Sequence, residues 1–170
     1  MALLDSTLLF WHTGNVYNMT SGEFVTFANL LTTASSSSTV INLGNPRDLG
    51  IGPGQEMPTV DVVVGTAFTS SSAGLTLNLQ FQGSTDSSTW TTYQETGANS
   101  TASWAAGYQY KFFVPHRLPG SALPQYYRLN LVGANASSTA TITTGTLIAG
   151  IGLAIEANPV GLYASGFTVA

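Results

Sequence analysis

The chain has 170 residues, and only 7% of them are Asp, Glu, Lys or Arg, against about 25% in an ordinary soluble domain. With no Cys, it has no thiolate nucleophile and no Cys-based metal site, and this length predicts one domain with extended ends. Four scattered basic residues in a chain of net charge −4 exclude the clustered Lys and Arg that nucleic-acid binding requires.

Residues 1–38 are predicted to form an N-terminal arm. Its first twelve residues carry no basic residue ahead of their apolar run, so we expect no signal peptide, and no stretch is long enough for a membrane-spanning helix. Ser21–Leu31 fits either a short helix capped by Ser21 or an extended segment. The serine run Ser35–Ser38 has the composition of a flexible hinge.

Residues 39–153 form the predicted body, in which the hydrophobic period is two. In Gly74–Gln82, four apolar side chains alternate strictly with four polar ones, which is typical of a strand buried on one face. Turn clusters separate this strand from six others, predicted at Thr39–Leu43, Thr59–Phe68, Thr89–Glu95, Tyr108–Val114, Tyr126–Val132 and Ala140–Ile151. The pattern predicts an all-β fold, an antiparallel β-sandwich of jelly-roll or immunoglobulin type, and the missing Cys/Trp/Cys signature favours the jelly roll.

Residues 154–170 are predicted to form an extended C-terminal tail. The tail has little strand pattern but carries the apolar side chains Leu162, Tyr163 and Phe167. A tail of that composition is an aggregation hazard in solvent, so we expect it to lie against a neighbouring subunit or its own sheet.

The sequence offers no catalytic or metal-binding motif. Its two histidines, His12 and His116, lack metal-ligand spacing, and no Gly-x-Ser-x-Gly nucleophile turn is present. The glycine-rich segment Gly44–Gly54 lacks the Lys-Ser/Thr of a phosphate loop and is better explained as a folded loop. We therefore expect no catalytic residue, no metal, no cofactor and no small-molecule substrate.

Five aromatic residues lie close together in sequence, at Trp90, Tyr93, Trp104, Tyr108 and Tyr110. Large rings of this kind pack sandwich cores and anchor protein interfaces, and exposed ones stack on sugars. We favour a core or interface role, and keep a carbohydrate- or receptor-binding module of a virion as the alternative function. A glycosidase or esterase on a sandwich fold is a third possibility, which requires a groove with paired carboxylates or a triad.

In its order of motifs the chain resembles the small jelly-roll capsid cement, or decoration, proteins of tailed phages, of the Bordetella-phage type. The segments that carry this resemblance are Ile41–Gly44 with Arg47–Gly52, Leu77–Asp86, Tyr127–Asn130, Ala149–Ile151 and Tyr163–Phe167.

The resemblance implies a non-enzymatic protein, made in the host cytoplasm and located on the outer capsid surface of the virion. It implies that copies of the protein bind at junctions between major capsid protein subunits and stabilise the capsid at these junctions. The implied partners are the major capsid protein and further copies of the chain, as a homodimer or homotrimer, with no nucleic acid and no membrane. We expect the protein contacts to involve Arg47, Asp48, Arg128, Phe10, Trp11, Leu162, Tyr163 and Phe167.

Overall fold

The computed structural model describes residues 9–11, 25–26, 35–46, 58–114, 122–134 and 140–153. Apart from one 3-10 turn at Thr101–Ser103, the regular structure of these residues is β-strand. The strands are β1 Leu9–Trp11, β2 Val25–Thr26, β3 Ser35–Ser37, β4 Ile41–Asn42, β5 Pro58–Ser70, β6 Thr76–Ser84, β7 Thr91–Glu95, β8 Asn99–Ser100, β9 Gln109–Phe113, β10 Tyr126–Ala134 and β11 Ile142–Leu153. Within the described ranges, no helix has the length and hydropathy needed to cross a membrane.

The strands form two antiparallel sheets with the connectivity of a jelly roll. One sheet has the order β1-β11-β5-β9, with β2 also on β11, and the other has the order β3-β10-β6-β7, with β4 on β10 and β8 on β6. When β1 and β2, β3 and β4, and β7 and β8 each count as one interrupted strand, the orders become 1-8-3-6 and 2-7-4-5. This is the arrangement of an eight-stranded jelly roll, so the predicted all-β sandwich fold is confirmed.

The alternation read from the sequence of β6 places its side chains on two different surfaces. Leu77, Leu79 and Phe81 are fully buried between the sheets, whereas Asn78 and Gln80 lie on the outer face. The strand pairs with β10 over nine successive positions without a register shift. Strict period-two patterning fixes the register here, because a slip of one residue would turn every leucine outward.

Phe81 lies at the centre of the core and joins the two sheets. Its ring stacks on Tyr127 of β10 at 5.3 Å between centroids and on Phe112 of the opposite sheet at 6.1 Å. The edges of Phe10 and Tyr93 complete the cluster, at 6.2 and 6.1 Å. Aromatic pairs in these geometries add about 0.5–1.5 kcal/mol each beyond the area that they bury. The core therefore depends on contacts between the sheets as well as within them.

Gly83 allows the ring of Tyr93 to pack directly against the backbone of β6. A Cβ atom at Gly83 would lie 2.7 Å from Cζ of Tyr93, closer than real contacts permit. We expect Gly83→Ala to lower the free energy of unfolding by about 1–3 kcal/mol, the usual cost of overpacking. Chemical denaturation measures this change.

The structure favours the extended alternative at two residues of Ser21–Leu31 and contradicts the hinge expected at Ser35–Ser38. Val25–Thr26 is extended and pairs with β11, so the helical alternative fails at these residues. Ser35–Ser37, predicted as part of a hinge, pairs with Asn130–Val132 of β10. The hydroxyl of Ser38 then accepts a hydrogen bond from the backbone N–H of Leu129 at 2.9 Å. Pairing with a well-formed neighbour outweighs the flexibility that a serine run has on its own.

Candidate protein-interaction surface

The outer surface of the sheet formed by β6, β7 and β10 carries a continuous set of polar side chains. Alternation along β6 and β10 turns every second residue outward, and the antiparallel register sets these residues side by side. We call this surface the amide face, and it consists of Asn78, Gln80, Gln82, Thr92, Glu95, Arg128 and Asn130.

Hydrogen bonds connect the centre of the amide face through Gln80 and Gln82. The Nε2 of Gln82 donates to Oε1 of Gln80 and to Oγ1 of Thr92, both at 3.1 Å. The Nδ2 of Asn130 donates to the same oxygen of Gln80 at 3.2 Å. Gln82 and Asn130 are each only 7% exposed although they lie on an outer face, because their neighbours cover them. The central side chains are therefore fixed in one arrangement.

Glu95 supplies the negative charge at one end of the amide face. Its Oε2 accepts hydrogen bonds from Nδ2 of Asn78 at 2.8 Å and from Nε2 of Gln80 at 3.3 Å. These bonds favour the ionised form, and they hold the pKa of the Glu95 carboxyl below its usual value. Glu95 is therefore an anion at neutral pH and accepts hydrogen bonds only.

Arg128 supplies the positive charge at the other end. Its Nε donates to Oε1 of Gln82 at 2.7 Å, and its guanidinium carbon lies 4.1 Å from the centre of the Trp90 ring. Partial burial lowers the pKa of Arg128, but an arginine stays charged at neutral pH. Stacking on the indole and the short bond to Gln82 together fix the orientation of the guanidinium plane.

The arrangement is suited to binding another protein surface. Neutral amides and hydroxyls cost less free energy to desolvate than charged groups do, and each offers both donors and acceptors. Since the side chains already hold one another, little conformational entropy remains to be lost when a partner docks. The single cation and single anion at opposite ends give the surface an orientation.

The acid dependence of stability tests the hydrogen bonds to Glu95. Because the pKa of Glu95 is lowered in the folded state, its stabilising effect is present above the pKa of the unfolded chain and is lost as the pH falls through the folded value. We expect Asn78→Ala to raise the pKa of Glu95 toward its ordinary value, as measured by NMR titration. The pKa of Asp86 serves as an internal control. It is lowered by backbone N–H groups of Ser88 and Thr89 in a separate turn, and it should not move.

A comparison with protein-family models places the chain among phage proteins. The model of the family Bbp16 matches residues 25–155, a range that begins at β2 and continues past the end of β11. The chain belongs to the Bbp16 family. This is a family of Bordetella phage proteins, which confirms the resemblance to a Bordetella-phage type. A search of curated proteins found no match.

The matched range contains the amide face, and Arg128 is the one predicted contact residue that the described part of the chain places there. Phe10 is fully buried against Phe81, so its assignment as a contact residue is wrong and its role is in the core. Trp11 belongs to β1 by its backbone. The remaining predicted contact residues lie outside the described residues; they are Arg47, Asp48, Leu162, Tyr163 and Phe167.

The five aromatic residues are divided between core and surface. Trp104 is buried and packs edge-on against Phe68, and Tyr93 and Tyr110 pack against the core. Tyr108 is 39% exposed, and the ring of Trp90 is covered on one face by Arg128. Stacking on a sugar requires an open ring face, and neither Trp104 nor this face of Trp90 offers one. The sequence did not identify Asn130 as part of the surface, although its position beside Arg128 in β10 is a usable signal.

The described part of the chain carries further polar features outside the amide face. A shallow depression of about 330 Å³ is lined mainly by serine and threonine hydroxyls between Phe68 and Ala102, with no ionisable side chain. On the opposite sheet, Nζ of Lys111 lies 3.5 Å from Oδ1 of Asp61. No group of three His, Asp or Glu residues that could hold a metal ion occurs among the described residues. The amide face differs from both features, because side chains of three strands bond to one another across it.

Proposed function

We propose that this member of the Bbp16 family is a capsid cement protein, which binds the outer surface of a phage capsid at junctions between major capsid protein subunits. The observation that carries the proposal is the amide face, a connected set of nearly uncharged hydrogen-bonding side chains fixed on one sheet of a jelly roll. Such a face forms many short contacts with a protein shell, and the low overall charge of the chain removes repulsion between neighbouring copies.

Stabilisation of the shell follows from mass action. A ligand that binds the assembled capsid but not its separated subunits stabilises the assembly by RT ln(1 + [L]/Kd), about 2.7 kcal/mol per site at a hundredfold excess over Kd. Repeated at every junction, this contribution opposes separation of the subunits even though each contact is weak. A surface prearranged for binding, like the amide face, serves this purpose without any chemical step.

We further propose that the protein is not an enzyme and uses no cofactor. The charged groups of the amide face support this, because Arg128 and Glu95 are both bound to neighbouring amides. A general acid or base works best with a pKa near the operating pH. The hydrogen bonds to Glu95 lower its pKa and so move it further from neutral pH.

The second proposed partner is a further copy of the chain, in a homodimer or homotrimer on the capsid surface. The low charge of the chain supports self-association, because neighbouring copies repel one another little. Sedimentation of the free protein gives its oligomeric state.

The proposal is tested with capsids that lack the protein. Purified protein is added at micromolar concentration, and bound protein is measured by co-sedimentation and shell stability by the temperature of rupture. We expect saturable binding and a higher rupture temperature. Absence of binding at these concentrations, or binding without any change in rupture, would contradict the cement function.

A further inference from the structure

Arg128 has hydrogen-bonding capacity that its neighbours on the amide face leave unused. Its Nε donates to Oε1 of Gln82, and its guanidinium carbon lies 4.1 Å from the centre of the Trp90 ring. Neither Nη1 nor Nη2 is hydrogen-bonded to a residue that the structure describes. These two nitrogens form the edge of the guanidinium opposite to Nε, so the bond to Gln82 leaves them available to a partner.

No carboxylate neutralises Arg128 within the described ranges. The salt bridge found there joins Lys111 to Asp61 on the opposite sheet. Burial alone lowers the pKa of Arg128, whereas a carboxylate beside the guanidinium would raise it, because an opposite charge favours the ionised form. In this part of the chain, Arg128 is therefore a partly buried cation without a counter-charge.

A partner that docks on the amide face removes the remaining water from Arg128. Burying an unpaired charge is strongly unfavourable, whereas a neutral amide loses little if it finds a new hydrogen bond. Glu95 is in a different position, because it is exposed on β7, which ends its sheet among the described strands, and it keeps its water at the rim of a contact. A partner of the amide face must consequently supply a negative charge at Arg128.

The carboxylates of the chain itself that the structure describes are already engaged. Asp61 pairs with Lys111, and Glu95 accepts two side-chain amides. Asp86 accepts two backbone N–H groups within its own turn. A second copy of the chain presents these same occupied groups, so we expect the counter-charge of Arg128 to come from a different protein.

We propose that the Arg128 end of the amide face binds the carboxylate of an aspartate or glutamate of the major capsid protein, whose oxygens accept hydrogen bonds from Nη1 and Nη2. This assignment rests on the proposed function and names the chemical group that the capsid presents to Arg128. A planar guanidinium matches the two oxygens of a carboxylate in a paired geometry. Trp90 and Gln82 hold that plane in place before docking, so little side-chain entropy is lost.

A cross-link without a spacer tests this contact directly. A carbodiimide joins an amine to a carboxylate that touches it, and it does not couple a guanidinium. Lys111 is the only lysine of the chain, so Lys111→Ala leaves no side-chain amine. Adding Arg128→Lys to Lys111→Ala then places a single amine on the amide face. Both proteins are bound to undecorated capsids and treated with carbodiimide, and the joined peptides are identified by mass spectrometry.

We expect the fraction joined to the major capsid protein to be at least about tenfold larger with Arg128→Lys than with Lys111→Ala alone, because only the introduced amine reaches the carboxylate. The terminal amine gives the same background in both. Equal fractions in the capsid-bound samples would overturn the proposal, and so would joining only to a second copy of the chain. Both of these results leave the cement function standing. Absence of binding by the parent protein would contradict the cement function and the proposal together.

The salt dependence of capsid binding tests the same contact without a lysine. Attraction between opposite charges weakens as ionic strength rises, so the affinity of the parent protein should fall more steeply with salt than that of Arg128→Gln. Lys111→Ala, which removes one positive charge from the opposite sheet, is the matched control and should keep the slope of the parent. Equal slopes for the parent and Arg128→Gln would overturn the proposal even if Arg128→Lys fails to fold.

Discussion

Replacing Phe81 by alanine is expected to lower the free energy of unfolding by about 3–5 kcal/mol, the usual cost of removing a buried phenylalanine. Phe81 contacts rings from both sheets, so the cavity left behind cannot close without moving one sheet toward the other. A loss of this size is a large part of the 5–15 kcal/mol that typically stabilises a domain. Chemical denaturation of Phe81→Ala, followed by tyrosine and tryptophan fluorescence, measures it.

The matched control is Phe113→Ala. The same side chain is removed, but Phe113 is about half exposed on an edge strand, and we expect a change within about 0.5 kcal/mol. Similar losses for the two variants would show that the rings around Phe81 do not form the stabilising centre of the sandwich.

Replacing Arg128 by alanine is expected to weaken capsid binding about 30-fold, equivalent to about 2 kcal/mol, as is typical of an interfacial arginine that dominates its contact. The substitution removes the only positive charge of the amide face and uncovers the Trp90 ring. It also leaves Oε1 of Gln82 without its shortest hydrogen bond, which loosens the centre of the surface. Co-sedimentation with undecorated capsids over a range of protein concentrations gives the change in Kd.

Lys111→Ala is the control for this experiment. It also removes one positive charge, but from the outer face of the opposite sheet, where Lys111 pairs with Asp61. We expect its capsid affinity to stay within about twofold of the parent protein, a free-energy change of about 0.4 kcal/mol. If Lys111→Ala weakens binding as much as Arg128→Ala does, overall charge rather than the amide face determines affinity.

The parts of the fold that follow from the sequence are those in which local pattern and tertiary packing agree. In β6 and β10 apolar and polar residues alternate over most of the strand, and the same alternation gives their burial and their outer polar surface. The boundaries of short strands were less accurate. Of the strand expected at Thr39–Leu43, only Ile41–Asn42 pairs with β10 as a strand. The local pattern does not specify where hydrogen bonding to β10 begins.

Segments whose structure depends on a distant partner could not be predicted in the same way. The apolar run around Phe10 does not show whether the ring is buried in its own core or against a partner, and its place beside Phe81 depends on pairing between β1 and β11. Ser35–Ser37 is a strand because its backbone pairs with β10. In both cases the deciding contact is made with residues more than seventy positions away.

The candidate surface was likewise only partly foreseen. Alternation along β6 predicts an outward polar set at Asn78, Gln80 and Gln82, and Arg128 is one of the predicted contact residues. The sequence does not show that Arg128 stacks on Trp90 or bonds to Gln82, since these contacts require β6 and β10 to pair in one particular register. The hydrogen bonds between the side chain of Gln94 and the backbone of Phe113 cross from one sheet to the other and leave no signature in local periodicity.

Under the proposed function, stability and capsid binding are connected through the same strands. The inner side chains of β6 and β10 hold the sheets together, and their outer side chains form the amide face. A rigid core therefore keeps the polar groups in position for a partner, which is how a surface of weak contacts retains useful affinity. Core variants that remain folded but more mobile should consequently bind capsids less tightly than the parent protein.

The most direct measurement is an electron-microscopy map of capsids to which the purified protein has been added. The cement function predicts jelly-roll density on the outer surface at junctions between major capsid protein subunits, with the sheet of β6, β7 and β10 in contact with a neighbouring subunit. A map in which the outer surface remains bare, or in which that sheet faces solvent on every copy, would contradict it.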